Sequence, residues 1–375
     1  MKILLISDFS YPLQGGTERH VMGLAEYASA KGHKVHVLTP NWKGKKNWSY
    51  SKKCLTIHLI YLPLMRNFFI RSLAYFFAGL WISKREKIDA IHSFYTMPAI
   101  ISASLISALE GLPHMITLFE WELLDWQRAS RLKWPLVRWA FESSSRITTL
   151  SWILERKVSR LFPSRKVTTI TNWLDDTLFQ IAPRPKPQSG KGRILFAGRL
   201  SEDKGIYVLF DALARLKGLD YQLSIAGPPI ELQKAKNEAR RLCIADKVKF
   251  LGFVGEGELP KLYRNCDILV LPSIRREGMG FVIIEAMAQG KPVVGSDDGG
   301  IPDAIGDGGI VVKKGDSARL ANAIKTLLTN QKKYRHYSDK ALSRVKRLFT
   351  RDAVISKYLA LYGEMAGNEK KQVQE

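Results

Sequence analysis

Short apolar runs alternate along the whole chain with longer stretches whose apolar residues recur at helical spacing. We interpret the runs as buried strands and the stretches between them as helices. Alternating strands and helices predict an α/β fold with parallel sheets and helices on both faces. The predicted strands are 2–7, 34–40, 55–63, 89–94, 114–119, 146–151, 166–171, 193–198, 221–227, 248–253, 268–272, 292–296 and 309–313.

A Pro- and Gly-rich stretch at 183–192 separates these strands into two sets, as an interdomain linker would. A chain of 375 residues is also long enough for two domains. We therefore predict a first domain at 1–182 and a second at 193–345. Helices are predicted at 317–329 and 331–362, with a C-terminal helix segment at 346–366 and a flexible tail at 367–375.

The three cysteines, Cys54, Cys243 and Cys266, are widely spaced and odd in number, which disfavours a disulfide framework or a metal motif. They indicate buried thiols in a reducing cytosol. The first apolar run breaks at Asp8, so it fits a buried strand better than a signal peptide. The net charge of +23 favours anionic partners such as nucleic acid, acidic lipid or phosphate-bearing substrates, although it also suits simple solubility.

The stretch 277–285, Glu-Gly-Met-Gly-Phe-Val-Ile-Ile-Glu, combines two carboxylates with two glycines. Gly278 and Gly280 allow backbone amides to approach a ligand, and a helix is predicted from Phe281 to the glycine before Lys-Pro at 291–292. Helix starts favour phosphate, while Glu277 and Glu285 can accept hydrogen bonds from sugar hydroxyls. The alternative for each Glu alone is a solvated side chain, but the pattern as a whole favours a phosphate-sugar site.

Two further stretches carry candidate phosphate chemistry. In residues 196–205, Phe-Ala-Gly-Arg-Leu-Ser-Glu-Asp-Lys-Gly, Arg199 and Lys204 follow a predicted strand. From that position the forked guanidinium of Arg199 and the ammonium of Lys204 can both reach a diphosphate. Gly15 and Gly16 precede a predicted helix at 17–31, as a phosphate-binding turn or an ordinary tight turn would.

These motifs resemble those of the retaining GT-B glycosyltransferases of family 4, also called glycosyl transferases group 1. The resemblance covers most of the chain and rests on Glu277 to Val294, on the Gly-Arg-Leu…Lys-Gly stretch, on the first-domain Gly-Gly-x-Glu loop, and on Gly-Gly-x-Pro-Asp at 299–303. It implies two Rossmann-like domains whose parallel sheets face each other across a cleft. It also implies that the last helix crosses back to the first domain.

The resemblance further implies roles for individual residues. Arg199 and Lys204 would stabilise the leaving diphosphate, Glu277 would hold sugar hydroxyls, and Glu285 would hold the ribose. The remaining donor-binding residues would be Gly15, Gly16, Phe253, Val254, Gly278, Met279, Gly280, Phe281 and Val282. No metal or other cofactor is implied, because the family works without one and the sequence has no metal-ligand cluster of suitable spacing.

The acceptor side departs most from the family pattern. Where members commonly have Thr-x-His, this chain has Thr117-Leu118-Phe119 followed by Glu120. Either Glu120 or His20 could then meet the sugar. The expected partners are a nucleotide sugar donor and a saccharide or lipid-linked acceptor.

Three stretches of the first half suggest contact with an anionic membrane surface from the cytoplasm. They are the Lys/Trp-rich residues 42–53, the apolar residues 67–83 and the Trp/Arg-rich residues 121–139. Residues 67–83 are too short and too interrupted, by Arg71, for a transmembrane span, and a core helix is the alternative. Solvated loops or helix cores are the alternatives for the other two stretches.

Two other functions are compatible with parts of the sequence. A sugar-nucleotide epimerase on the same fold would turn over a donor without an acceptor. A nucleic-acid-binding protein is suggested by charge alone, without a recognition helix or an aromatic platform to support it, so no nucleic-acid partner is expected.

Overall fold

The computed structural model describes residues 1–8, 16–42, 46–61, 67–94, 96–119, 133–174, 190–255, 257–275 and 277–372. Within these ranges the chain forms two compact units. The first comprises Met1–Thr171 and Val354–Glu375, and the second comprises Asn172–Ala353. Most of the predicted linker, 183–189, lies outside the described residues.

The first unit is built on an eight-stranded sheet with the order β3-β4-β2-β1-β5-β6-β7-β8. Its strands are β1 Lys2–Ser7, β2 Lys34–Pro40, β3 Trp48–Lys52, β4 Leu55–Ile60, β5 Ala90–Phe94, β6 His114–Leu118, β7 Arg146–Thr149 and β8 Val167–Thr169. Its helices are α1 Gly16–Ala30, α2 Phe68–Glu86, α3 Met97–Glu110, α4 Trp134–Ser143 and α5 Trp152–Leu161.

The second unit is built on a six-stranded sheet with the order β11-β10-β9-β12-β13-β14. Its strands are β9 Gly192–Ala197, β10 Tyr221–Ala226, β11 Val248–Gly252, β12 Ile268–Leu271, β13 Val293–Ser296 and β14 Gly309–Val312. Its helices are α6 Ile206–Ala214, α7 Leu232–Arg241, α8 Leu259–Asn265, α9 Phe281–Ala288, α10 Ile301–Ile305, α11 Ser317–Thr329 and α12 Gln331–Leu348. The last helix, α13 Arg351–Gln372, begins in this unit and continues into the first.

The predicted α/β class and the thirteen predicted strands are confirmed, each within a few residues of its predicted ends. In the second sheet the register is parallel throughout, for example between β9 and β12. Successive residues of β9 enter different core clusters, with Ile194 and Phe196 in one and Leu195 and Ala197 in the other. Both faces of this sheet are therefore covered, which is why its strands read as continuous apolar runs.

The structure corrects two predictions of secondary structure. Strand β3 was not predicted, and it pairs antiparallel with β4 at the edge of the first sheet. The helix predicted over 331–362 is two helices, because the chain breaks at Phe349 and Thr350 to pair with Leu174. Helix α13 then runs to Gln372, past Gly367, where the sequence placed a flexible tail.

The expectation of three buried thiols is also wrong. Only Cys266 is buried, whereas Cys54 is partly exposed and Cys243 is exposed. Burial raises the pKa of the Cys266 thiol to about 12, so this side chain behaves as a small apolar core residue.

Candidate functional site

Lys204 and Glu277 meet at one edge of the second sheet, although 73 positions separate them. Lys204 follows β9 in a short 3-10 turn, Glu202–Lys204, and Glu277 follows β12, the strand that neighbours β9. Because parallel strands end at a common edge, their following loops are brought together there. The Lys204 ammonium donates to Oε2 of Glu277 at 2.5 Å, and the Ser273 hydroxyl donates to the same oxygen at 3.0 Å.

Arg199 lies in the same loop after β9 and is held by the carboxylate of Asp203, to which the sequence analysis assigned no role. Its guanidinium donates to Oδ2 of Asp203 at 2.9 Å while its side chain stays 58% exposed. Burial works to raise the pKa of the Asp203 carboxyl, but a hydrogen bond from Ser201 and the nearby charges of Arg199 and Lys204 leave that pKa below its ordinary value. Asp203 therefore stays ionised and fixes Arg199 where an anion can still reach it.

The loop that carries Glu277 is hydrogen-bonded to the loop after β13, the next strand of the sheet. The Glu277 amide donates to Oδ2 of Asp298 at 3.1 Å, and the Gly300 amide donates to the carbonyl oxygens of Glu277 at 3.0 Å and Gly278 at 2.7 Å. Asp298 is buried and also accepts from the Lys314 ammonium at 2.8 Å. This hydrogen bond raises the pKa of Lys314. Asp298 thus connects Lys314 with the backbone of the Glu277 loop.

Two glycines allow this close approach of loops. Gly299 has a φ of +54°, and a Cβ there would lie 1.8 Å from the carbonyl oxygen of Glu277. Gly205 has a φ of +71°, and a Cβ there would lie 1.9 Å from the carbonyl oxygen of Pro272. Both positions need a left-handed backbone and the absence of a side chain, so neither tolerates another residue without movement of the loop it faces.

Helix α9 starts directly after the Glu277 loop, at Phe281, as predicted. Its N-cap, Gly280, has a φ of +69° and no capping side chain. One turn into the helix, Glu285 is only 5% exposed and accepts a hydrogen bond from the Tyr263 hydroxyl at 2.6 Å. The two carboxylates of the motif thus occupy different environments, Glu277 in an ion pair and Glu285 against a buried tyrosine.

The other predicted donor-binding residues differ in how far they are exposed to solvent. The Met279 side chain is 2% exposed and belongs to the core, so a contact with a ligand would come from its backbone. Phe281 and Val282 are partly buried against the same core. Phe253 follows β11 and is 76% exposed, and the adjacent Val254 packs partly against the core.

In the first unit, His20 lies inside the protein instead of on an open surface. It is 1% exposed, its Nε2 is 3.1 Å from the Tyr358 hydroxyl, and its ring meets Phe119 edge-on at 4.9 Å. His20 thereby connects α1 with α13 and with the end of β6. The predicted residues Gly15 and Glu120 lie outside the described residues, and Gly16 is the first residue of α1.

A second buried histidine, His92, ties α13 to the first sheet. Its Nδ1 is 2.6 Å from the Tyr362 hydroxyl, and its Nε2 is 2.6 Å from the Thr117 hydroxyl. Burial lowers the pKa of His92 well below its ordinary value, and burial also lowers the pKa of His114 to about 3. Both rings are therefore neutral at pH 7, and their bonding holds the strand ends of this unit in place.

In the part of the chain that the structure describes, no three His, Cys, Asp or Glu side chains are grouped as metal ligands would be. Across the same residues, no helix is both long and apolar enough to cross a bilayer.

Two family models match adjacent parts of the chain. The model described as Glycosyltransferase Family 4 matches residues 14–178, and the one described as Glycosyl transferases group 1 matches residues 180–344. The chain belongs to the GT-B glycosyltransferases of family 4. It is thus a sugar transferase of the group that uses sugar-nucleotide donors.

Individual relatives agree with this family. The N-acetyl-alpha-D-glucosaminyl L-malate synthase of Bacillus anthracis is 24% identical, with 98% of each chain covered. The phosphatidyl-myo-inositol mannosyltransferase of Mycobacterium leprae is 28% identical, with 99% of each chain covered. Among solved structures, Anabaena HepE in complex with UDP has a TM-score of 0.77 at 20% identity and covers 97% of this chain and 100% of its own.

Several residues that hold Arg199 and the Glu277 loop in place were not singled out from the sequence. Asp203, Asp298 and Lys314 form no recognisable motif with the residues they hold. Asp298 does carry one usable signal, because it stands between a predicted strand and the pair Gly299-Gly300, where a side chain reaches the same sheet edge as Glu277. The sequence gives no signal for Tyr263, because its hydrogen bond to Glu285 depends on the packing of α8 against α9.

Proposed function

We propose that this glycosyltransferase moves a sugar from a UDP- or GDP-linked donor to a hydroxyl of a lipid-linked or saccharide acceptor. We propose further that it retains the anomeric configuration, uses no metal, and works in the cytoplasm, on the inner face of a membrane. The observation that carries the proposal is the cluster of Arg199, Lys204 and Glu277 at the carboxyl edge of the second sheet.

The charges of this cluster match the two halves of a nucleotide sugar. Arg199 and Lys204 supply fixed positive charge for the diphosphate, which gains negative charge as it leaves. Glu277 is an acceptor for sugar hydroxyls beside that charge. Lys204 and Glu277 pair with each other at 2.5 Å, with only 17% and 15% of their side chains exposed. A bound donor would offer phosphate to the first and hydroxyls to the second, so neither would be left buried without a partner.

The proposed reaction needs no nucleophile from the protein. The bond between the anomeric carbon and the diphosphate oxygen breaks, the acceptor oxygen bonds to that carbon on the same face, and the leaving phosphate takes the acceptor's proton. The protein contributes position and electrostatic stabilisation. Glu285, oriented by Tyr263, is the proposed ligand of the ribose hydroxyls.

Similar proteins support the two substrates. HepE binds UDP in its structure, which supports a uridine or related diphosphate donor here. The mycobacterial relative is named for a phosphatidyl-inositol acceptor, which supports an acceptor carried on a lipid and hence an anionic membrane surface as partner.

A panel of UDP-, GDP- and ADP-sugars tests this function. Purified protein should release nucleotide from one class of donor, faster when lipid or saccharide acceptors are added, and the product should have the donor's anomeric configuration by NMR. Conversion of a donor to a different nucleotide sugar without acceptor would identify an epimerase instead. An inverted product, or neither binding nor release with any donor, would contradict the proposal.

A further inference from the structure

The outward face of α2 carries a continuous row of large apolar side chains. Phe69, Leu73, Phe77 and Trp81 follow one another at intervals of four residues, and they are 65%, 56%, 64% and 55% exposed. We call these four residues the α2 ridge. Residues four apart on a helix are neighbours on one face, so the ridge is a single apolar surface and not scattered exposed residues, which would need no explanation.

The opposite face of α2 is fixed to the first sheet, so the helix cannot rotate to bury the ridge. Tyr75 is fully buried, and its hydroxyl donates to the Asp8 carboxylate. Arg71 pairs with the same carboxylate at 3.2 Å. Gly79 approaches α3 so closely that a Cβ would lie 2.6 Å from Ile106. Tyr75, Gly79 and Ser83, which recur at helical spacing, are thus on the buried side of α2.

The edge strand β3 exposes aromatic residues on the other face of the first sheet. Trp48 and Tyr50 stand opposite Leu59 and Ile57, whereas Ser49 stands opposite His58 on the α2 side. Trp48 and Tyr50 on β3 are 50% and 40% exposed, and their rings stack at 5.9 Å. The apolar surface on the outward side of α2 is therefore the ridge itself.

Basic residues border this surface. Lys84 and Arg85 occupy the last turn of α2, with Arg85 stacked on Trp81 at 4.9 Å, and the exposed Lys87 follows as the C-cap of the helix. These three cations face two carboxylates, Glu86 at 3.4 Å from Arg85 and Glu110 at 3.8 Å from Lys84, so the border keeps a net positive charge. The border therefore complements a surface of negative charge.

We propose that the α2 ridge inserts into the interface of an anionic lipid bilayer. An apolar helix face with Trp and Phe, bordered by Lys and Arg, is the pattern of helices that lie in a membrane surface. Tryptophan suits the boundary between headgroups and acyl chains, and it stands here beside the basic border. The inference deepens the membrane partner of the proposed function by assigning it to named residues, and it places the first unit against the lipid.

Vesicle flotation with the full chain tests this proposal and needs neither donor nor acceptor. Wild-type protein should float with vesicles of phosphatidylcholine and phosphatidylglycerol, and much less with phosphatidylcholine alone. The double variant Leu73→Ser/Phe77→Ser should lose at least tenfold in affinity. The variant Lys84→Ala/Arg85→Ala should lose affinity for anionic vesicles and show a weaker salt dependence, because one basic residue near such a surface contributes about fivefold.

A matched control removes an equally exposed apolar side chain elsewhere. Ile230 in the second unit is 66% exposed, and Ile230→Ser should float like wild type. Unchanged thermal unfolding of the serine variants would show that they fold.

The proposal is overturned if wild type stays unbound at low salt, or if the ridge variants bind as wild type does. It is also overturned if the ridge is covered by a second copy, seen as a wild-type dimer in ultracentrifugation that becomes monomeric in the ridge variants. A failed donor panel would leave the flotation result unaffected, so the two proposals fail separately.

Discussion

Replacing Gly299 by alanine should disable the site without touching any residue that would contact the donor. A Cβ at this position would lie 1.8 Å from the carbonyl oxygen of Glu277, whereas real Cβ contacts are essentially never shorter than 3.0 Å. One of the two loops must therefore move by at least about 1.2 Å. Gly300 binds the carbonyl oxygens of Glu277 and Gly278, and Asp298 binds the Glu277 amide, so movement of either loop changes how Glu277 is held.

The size of the effect follows from this displacement. Misplacement of a catalytic group by about 1 Å costs on the order of 10²-fold in rate. The φ of +54° adds strain of about 1–2 kcal/mol for alanine, which lowers the free energy of unfolding. We therefore expect a fall of roughly 10²-fold in kcat/KM, together with a lower but still cooperative unfolding transition.

Gly218→Ala is the matched control, because Gly218 has a φ of +75° with no atom within 4 Å of the added Cβ. It carries the same backbone strain without the collision. Nucleotide release with the donor found in the panel gives kcat and KM, and urea unfolding gives stability. If Gly299→Ala and Gly218→Ala lose the same stability and both keep wild-type kcat/KM, the contact between the two loops does not position Glu277 and the reasoning is wrong.

Three further outcomes are expected. Lys204→Ala and Glu277→Ala should each cost about 10²–10³-fold in transfer rate while circular dichroism shows an intact fold; near wild-type transfer by both would refute the site. EDTA should leave transfer largely intact because Arg199 and Lys204 supply the positive charge, so complete loss with EDTA and recovery with Mg²⁺ or Mn²⁺ would contradict the metal-free mechanism. Lowering the pH from 7 to 5 should destabilise the fold by about 2 kcal/mol through His114 alone, because burial lowers its pKa to about 3 and below pH 6.5 the unfolded chain binds the additional proton. Urea unfolding at both pH values measures this, with the exposed His336→Gln variant as control, and equal stability at pH 5 and 7 would exclude it.

The sequence by itself was sufficient for the α/β class and for the positions of thirteen strands. Their apolar residues are buried between two layers, as in β9, so the pattern reports the core directly. It also placed Arg199 and Lys204 after a strand, and parallel strands bring their following loops, including that of Glu277, to one edge. The role of these residues in a donor site stays a prediction. Strand β3 escaped prediction because its five residues are all exposed, so only its pairing with β4 defines it.

Only the tertiary structure decided how the site is held and which face of α2 is outward. Asp203, Asp298 and Lys314 act through contacts between loops distant in sequence, and no local pattern encodes such contacts. The weakly polar side of α2 turned out to be buried, because Tyr75 finds a hydrogen-bond partner there and Gly79 permits close packing. The apolar side of α2, the ridge, is exposed to solvent. Hydrophobicity along a helix shows that two faces differ, but which face is covered depends on the shape and the polar partners that the rest of the fold presents to it.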